Sequence, residues 1–172
     1  GVAHGDFGDS LKQRGRTVAG IIQAKFPVSA KIGGISVLVS LILGVLLGSI
    51  AALKRGKFLD SLISVISTMG IAVPSFVICT VLMYFFGVKF KILPTMGLSS
   101  WQNYIMPVAA LAFYPTAYIM RLMRSSMLDV LGQDYMRTAK AKGLSGKVQL
   151  FKHALRNAIL PVVTYVGPML AY

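Results

Sequence analysis

The sequence predicts an all-α protein that crosses a lipid bilayer several times. Of its 172 residues, 55% are hydrophobic and only 13% are charged, against ~25% charged residues in an average soluble protein. The charges are clustered and leave uncharged windows long enough to span a membrane. We expect a polytopic transmembrane domain over 32–172, with about three complete spans and the start of a fourth, preceded by an extracytoplasmic or interfacial segment at 1–31.

The net charge of +13 does not indicate a nucleic-acid partner. Most of the basic residues flank apolar runs, where the preference for positive charge on the cytoplasmic side of a membrane explains them. The single cysteine, Cys79, lies in an apolar run and has no other cysteine with which to pair, so we predict a packing role. The chain begins without methionine and stops inside an apolar run, and we interpret it as part of a longer membrane protein.

The first predicted span covers residues 32–53, which carry no charge and are bracketed by two lysines. Its 22 residues give about 33 Å of helix, enough to cross a bilayer. Small residues recur every four positions along one face and predict close packing on another helix. They are Ser40, Gly44, Gly48 and Ala52. Upstream, residues 17–26 predict a short interfacial helix ended by Pro27, with a solvated loop as the alternative.

The second uncharged window covers residues 61–88 and is predicted to kink at Pro74. A polar stripe on one face indicates either a hydrated pathway or packing against a neighbouring helix. The stripe contains Ser61, Ser64, Thr68, Ala72 and Ser75. We take Ser64, Thr68 and Ser75 as the candidate pathway-lining residues.

Residues 104–120 predict a third span with kinks at Pro107 and Pro115, and a fourth begins near Asn157. The intervening loop at 89–103 has aromatic residues on both sides, as expected at a membrane interface. The 54–60 and 121–156 segments hold three and eight Lys or Arg residues, whereas the 89–103 loop holds two. This asymmetry predicts that the first two segments are cytoplasmic, although the five cations of residues 1–31 then lie on the outer side.

Residues 121–161 form a basic segment that cannot cross a bilayer, since a cation at the membrane centre costs roughly 2.5–3.5 kcal/mol. Asp134 is placed to cap a helix over 135–142, Gly143 to end it, and Ser145 to cap a second helix. Met127, Leu131, Tyr135 and Ala139 predict an apolar stripe, and Val148, Phe151, Leu155 and Ile159 predict another. Composition alone favours a helical loop lying on the membrane surface.

The motif Arg137-Thr138-Ala139, preceded by Asp134-Tyr135 and followed by Gly143, resembles the EAA loop of permease subunits in binding-protein-dependent ABC importers. The resemblance is closest to the oligopeptide, dipeptide and nickel branch, in which this loop has the sequence pattern DYxRTAxAKGL. HGDFGDS at 4–10, FPVSAKIG at 26–33, PSF at 74–76, the Arg121-x-x-Arg124 pair and HALRNAILPVV at 153–163 also agree. Arg137 and Thr138 replace the Glu and first Ala of the general motif, and Arg156 stands where a later proline would be. These departures are usual in the peptide branch.

The resemblance implies a non-catalytic permease subunit that moves oligopeptides or dipeptides by alternating access, although relatives carry nickel or glutathione. Its loop would be a coupling helix that docks into a groove of a separate ABC ATPase subunit, with Ala139 fitting the groove and Gly143 allowing the turn. The coupling residues would be Asp134, Tyr135, Arg137, Thr138, Ala139, Lys140, Ala141, Lys142 and Gly143. The implied partners are ATPase subunits, a second related permease in a heterodimer, an extracytoplasmic substrate-binding protein and the lipid membrane, with no cofactor.

The sequence carries no motif of an ATPase or of a common hydrolase. Gly146-Lys147 is a near miss to a P-loop, because Val148 replaces the required Ser or Thr and Ala141 the first Gly. The two histidines, His4 and His153, are expected on opposite sides of the membrane and cannot share a metal. No acid lies inside a predicted span, which argues against proton coupling. A channel or secondary carrier that needs no ATP remains the alternative, and an intramembrane enzyme is disfavoured because no catalytic pair is visible.

Overall fold

A computed structural model describes residues 7–10, 12–13, 15–97 and 99–170 and shows an all-α chain over these ranges. The long helices are α1 (Val18–Leu53), α2 (Phe58–Ala72) and α4 (Gln102–Leu131). Between the last two lie α3 (Ser75–Leu82) and the π-helix π1 (Met83–Lys89). The C-terminal elements are α5 (Asp134–Ala141), α6 (Gly146–Val148), the π-helix π2 (Gln149–Leu155), α7 (Arg156–Ala158) and α8 (Leu160–Leu170).

Helix α1 is 36 residues long, about 54 Å at ~1.5 Å per residue. It begins at Thr17, whose hydroxyl accepts a hydrogen bond from the Gly20 amide at 3.2 Å. The expected helix end at Pro27 is wrong, because α1 continues through this residue. Proline removes one backbone hydrogen bond, but a helix that is already nucleated regains one bond with every residue beyond it.

The break at Pro74 is much larger than the kink that the sequence predicts. The chain bends by 103° between helix α2 and the α3–π1 segment. Val73 is extended (φ −88°, ψ 123°), and Pro74 (φ −60°, ψ 141°) caps α3. The proline ring disfavours helical backbone angles at the preceding residue. Val73 and Pro74 therefore both leave the helix, and the chain changes direction.

Helix α4 passes through Pro107 and Pro115 and continues to Leu131, beyond the expected span end at 120. The charge of Arg121 limits how deep this part can lie in a membrane, but it does not stop a helix. Helix α4 is parallel to α1, because the Ser36 and Ser40 hydroxyls donate to the carbonyls of Val108 and Ala112, at the same offset in both pairs. Helix α2 follows a short turn after α1, runs in the opposite direction to α1 and α4, and contacts both of them.

Two described helices, α1 and α4, are long and apolar enough to cross a membrane, and a third crossing results if α2 and α3–π1 form one broken span. Helix α8 is a shorter apolar helix and corresponds to the expected start of a fourth span. The prediction of an all-α, polytopic membrane chain is thereby confirmed.

The C-terminal elements pack on α4 through a shared apolar core. Its fully buried members include Met127, Ala154, Ala158 and Val162. The expected apolar stripe is only partly correct, because Val148 and Phe151 are exposed. The π-helix π2 explains the change: its hydrogen bonds join residues five apart, so the buried face departs from the α-helical spacing that the sequence pattern assumes.

Candidate functional site

Helix α5 is a short surface helix that lies where the sequence places the coupling loop. It begins at Asp134 with Gln133 as the N-cap, so Asp134 is the first residue of the helix and does not cap it as expected. Its carboxylate lies 3.4 Å from Arg137 Nη1, with both side chains largely exposed, so the pair adds little stability. An acid in the first turn and Lys140 in the last both complement the helix dipole.

The end of α5 is a Schellman motif built around Gly143. This glycine has a φ of +71°, the left-handed conformation that the sequence predicts for it. Its amide donates to the Lys140 carbonyl at 3.0 Å, and the Leu144 amide donates to the Ala139 carbonyl at 3.3 Å. The motif satisfies two helix-end carbonyls and fixes the direction in which the chain leaves α5.

Helix α5 has one face against its own chain and one face open. Met136 and Ala139 are buried, and α5 packs on π2. The other residues of the implied coupling set are exposed: Asp134, Tyr135, Arg137, Thr138, Lys140, Ala141, Lys142 and Gly143. Ala139 therefore departs from the expectation, because a side chain that is 5% exposed cannot enter a groove of another protein in this conformation. Its small size instead suits the buried side of the helix.

Tyr135 links α5 to the segment that leads into α8. Its hydroxyl accepts a hydrogen bond from Asn157 Nδ2 at 3.2 Å, and the same amide group donates to the His153 carbonyl at 2.9 Å. Asn157 therefore bridges α5 and π2. The sequence analysis assigns a role to Tyr135 and none to Asn157, because the two residues are 22 positions apart in the chain.

An ion pair that the sequence analysis missed joins α2 to α4 at the same end as α5. Arg124 Nε lies 2.6 Å from Asp60 Oδ1, and Arg124 Nη2 lies 2.9 Å from Asp60 Oδ2. The carboxylate also accepts from the Gly56 amide at 2.9 Å and from the Ser64 hydroxyl at 3.5 Å. Asp60 is 5% exposed, so four donors replace the water that burial removes.

Asp60 lies in a helix, although the sequence analysis places it in the 54–60 segment between two spans. Helix α2 begins at Phe58, so Asp60 belongs to its first turn and not to the preceding loop. The sequence does contain one indication that Asp60 is special, because it is the only acidic residue between Asp9 and Asp129. A lone acid beside an apolar window favours a search for a basic partner.

The small-residue stripe of α1 lies at the contact with α4. Ser40, Gly44, Gly48 and Ala52 are all buried. A Cβ atom added at Gly44 would lie 2.6 Å from Ile119 Cγ2, and one at Gly48 would lie 2.5 Å from the Met120 carbonyl oxygen. The two backbones are therefore too close for any larger side chain at these positions.

The three candidate pathway residues do not share one face. Ser64 is partly buried, and its carbonyl accepts from the Thr68 hydroxyl at 2.9 Å. Thr68 is exposed on α2, whereas Ser75 begins α3 beyond the 103° break. The expected stripe assumes a continuous helix, and the break separates Ser75 from the other two residues.

Side chains that could bind a metal ion form no cluster within the described ranges. No group of three or more His, Cys, Asp or Glu residues occurs there. His153 is partly buried in π2, and His4 lies outside the described residues. Cys79 is a free, partly buried thiol on α3.

Comparisons with known proteins agree with this architecture. Residues 44–172 match the family described as "Binding-protein-dependent transport system inner membrane component". The chain is 45% identical over 166 residues to the dipeptide transport system permease protein DppB of Bacillus subtilis, covering 96% of this chain and 54% of that protein. It is 41% identical over 169 residues to the oligopeptide transport system permease protein OppB of Salmonella typhimurium, covering 97% and 55%. The chain thus spans about half the length of these relatives.

Proposed function

The chain belongs to the family of inner-membrane components of binding-protein-dependent transport systems, and on this premise we propose that it is part of a permease subunit of an ATP-driven peptide importer. The permease hydrolyses no ATP itself and receives its energy from separate ABC ATPase subunits. The observation that carries the proposal is α5, a short helix whose buried face is fixed to its own chain and whose basic face is open.

The docking face of the permease is the exposed side of α5 together with the neighbouring part of π2. Arg137, Lys140 and Lys142 are exposed there, and Phe151 of π2 is 63% exposed. Basic residues steer an acidic partner surface, and an exposed aromatic side chain supplies an anchor once water is excluded. Ala139 supports this face from the inside and does not contact the ATPase.

We assign the remaining partners by analogy with the family to which the chain belongs. A second related permease completes the translocation pathway as a heterodimer, and an extracytoplasmic binding protein delivers the substrate. The 54–60 and 121–156 segments lie on the cytoplasmic side, where α5 meets the ATPase. The relatives are named for dipeptide and oligopeptide transport, and we assign the same substrate class here.

Transport proceeds by alternating access. ATP-driven closure of the ATPase subunits moves α5, and the Tyr135–Asn157 bond and the packing of α5 on π2 carry that movement to α7 and α8. The broken α2–α3 span is the membrane segment least constrained by its own chain, because α3 and π1 contain no buried residue. Re-packing there opens the pathway first to one side and then to the other.

Crosslinking of α5 tests the proposed docking. In the full-length permease with its partners, the native cysteines, Cys79 among them, are replaced by serine, and Thr138→Cys places a new thiol on the exposed face. We expect Thr138→Cys to crosslink to the ATPase subunit, and Thr80→Cys on α3 to serve as the unreactive control. An assembled complex that gives no crosslink from position 138 would contradict the docking face.

Peptide uptake into reconstituted vesicles tests the energy source. Uptake should require ATP and the binding protein together, and a non-hydrolysable ATP analogue should stop it. Uptake without either component would instead support a channel or a secondary carrier.

A further inference from the structure

Two neighbouring cavities follow the α1–α4 helix pair and form one groove, whose narrower part is also lined by Ile66 and Gly70 of α2. The larger, of about 530 Å³, is lined on its apolar side by Ile35, Val39, Ile105 and Ala109. The smaller, of about 220 Å³, shares Val39 and Ala109 with the first and continues along α4 to Met120. Because Val39 and Ala109 line both cavities, the two cavities lie end to end along the helix pair.

The wide end of this groove is polar and basic. Lys31 lines it, and its ammonium nitrogen lies 4.8 Å from the centre of the Tyr104 ring. Ser99 and Trp101 stand at the same end, with the Trp101 side chain 74% exposed. The lining contains no acidic residue. A cation flanked by Trp and Tyr is typical of the level at which lipid headgroups lie.

The rim of the groove is fixed by a buried side chain. Asn103 is 7% exposed; its amide nitrogen donates to the Met96 carbonyl at 2.6 Å, and its amide oxygen accepts from the Ser100 hydroxyl. These bonds tie the loop before α4 to the first turn of that helix. The polar end is therefore held in place by the fold.

The dimensions of the groove match one lipid leaflet. From Lys31 to Leu43, the lining residues of α1 furthest apart, the helix rises about 18 Å at ~1.5 Å per residue. One leaflet contributes about 15 Å of the ~30 Å hydrocarbon core. A ligand with its charge at Lys31 would thus lay an apolar chain along the whole groove and end near the bilayer midplane.

We propose that the α1–α4 groove binds one anionic phospholipid, with the phosphate at Lys31 and one acyl chain along Val39, Ala109 and Phe113. The narrow part presents almost only apolar atoms, so the polar groups of a soluble anion or a charged peptide terminus would find no hydrogen-bond partners there. The site requires that α1 and α4 cross the bilayer with α2 packed beside them, because Ile66 and Gly70 of α2 complete the wall of the narrow part. Under the proposed orientation the lipid belongs to the outer leaflet of the inner membrane.

Photolabelling in lipid nanodiscs tests the site. The full-length permease complex is placed in nanodiscs of equal amounts of phosphatidylglycerol and phosphatidylcholine, and one lipid at a time carries a photoreactive group near the end of its acyl chain. Labelled peptides are then quantified by mass spectrometry. Phosphatidylglycerol should label the groove peptides about fivefold more than phosphatidylcholine, as expected for one Lys beside an anionic lipid. Other lipid-facing peptides should show no such preference.

Variants separate the headgroup site from the acyl-chain site. Lys31→Gln should remove the preference for phosphatidylglycerol, Lys31→Arg should keep it, and the matched control Lys25→Gln, on an exposed turn of α1, should leave it unchanged. Ala109→Phe fills the junction of the two cavities and should reduce groove labelling by both lipids.

Three outcomes would overturn the proposal. The first is equal labelling of the wild-type groove by both lipids, and the second is groove labelling that Ala109→Phe does not change. The third comes from a photoreactive residue placed at position 109: crosslinking of that residue to protein instead of lipid would show that another protein segment fills the groove. The comparison of the two lipids on the wild-type protein decides the matter even if Lys31→Gln fails to assemble.

Discussion

Asp60 and Arg124 form a two-pronged ion pair, with the Nε and Nη2 nitrogens of the arginine 2.6 Å and 2.9 Å from the two carboxylate oxygens. The residues are 64 positions apart in the chain and belong to helices that run in opposite directions. The same carboxylate also receives the Gly56 amide, so it fixes the α1–α2 turn as well as the α2–α4 contact. One buried acid thus holds three segments at the end of the bundle that carries α5.

Removing either partner of this pair should destabilise the protein. Arg124→Gln leaves the buried Asp60 carboxylate without its charge partner, and Asp60→Asn leaves the partly buried Arg124 without its partner. We expect a loss of about 2–3 kcal/mol in the free energy of unfolding, below the 3–5 kcal/mol of fully buried pairs because the Arg124 side chain keeps some contact with solvent. The measurement is denaturant unfolding of the full-length permease in detergent.

The matched control for this prediction is Asp129→Asn, which changes an exposed acid on α4, the helix that carries Arg124. It should change the free energy of unfolding by less than about 0.5 kcal/mol. The double variant Asp60→Asn/Arg124→Gln should lose less than the sum of the two single losses. Additive losses would show that the two side chains do not act as a pair.

Gly48 should be intolerant of any side chain, because a Cβ atom there meets the Met120 backbone carbonyl at 2.5 Å. Gly48→Ala must push α1 and α4 apart, and we expect it to cost about 1–3 kcal/mol. Gly33→Ala on the same helix has open space around the new methyl group and should be neutral or stabilising by up to about 1 kcal/mol. Thermal unfolding of both variants checks the difference, and equal stabilities would contradict the close α1–α4 contact.

Gly143→Ala should disturb the turn that ends α5. Its φ of +71° costs a residue with a Cβ atom roughly 1–2 kcal/mol, while no atom lies within 4 Å to clash. Because the strain is local, we expect normal membrane insertion with reduced uptake per ATP hydrolysed in the reconstituted complex. Gly146→Ala, at a glycine without a positive φ and also with open space, is the control. An unchanged ratio of uptake to hydrolysis would show that the turn geometry is not needed for coupling.

Phe151→Ala tests the aromatic anchor of the proposed docking face. The side chain is 63% exposed, so its removal should leave the stability of the permease within about 0.5 kcal/mol. Its loss from an interface should weaken ATPase binding by about 1–2 kcal/mol, roughly 5–30-fold in Kd. Phe76→Ala, at a phenylalanine of α3 that is 70% exposed, should leave that Kd unchanged. Equal Kd values for wild type and Phe151→Ala would exclude this residue from the interface.

Features that depend on local chemistry could be predicted from the sequence. The uncharged windows predict the spans because the cost of a charge in hydrocarbon does not depend on tertiary contacts. Gly143 and Ser145 were predictable as helix-end residues for the same reason: the left-handed φ and the Ser145 side-chain cap are decided by neighbours within a few residues.

Features that depend on distant contacts could not be predicted. Nothing near Asp60 in the sequence identifies Arg124 as its partner. The burial of Ala139 depends on π2, and the exposure of Phe151 depends on a π-helix that the α-helical spacing does not reveal. The position of the Pro74 break was predictable from residue type, whereas its 103° angle depends on two residues that leave helical geometry together.

The segment Ser75–Lys89 is helical throughout although none of its residues is buried by the chain. Its length is close to the ~12–15 residues below which an isolated helix is marginal in water. In hydrocarbon, by contrast, each unpaired backbone group costs several kcal/mol, and the helix is strongly favoured. The medium around Ser75–Lys89 therefore stabilises its helical conformation in addition to the packing of α3 on α4, and this stretch would respond directly to the arrival of water.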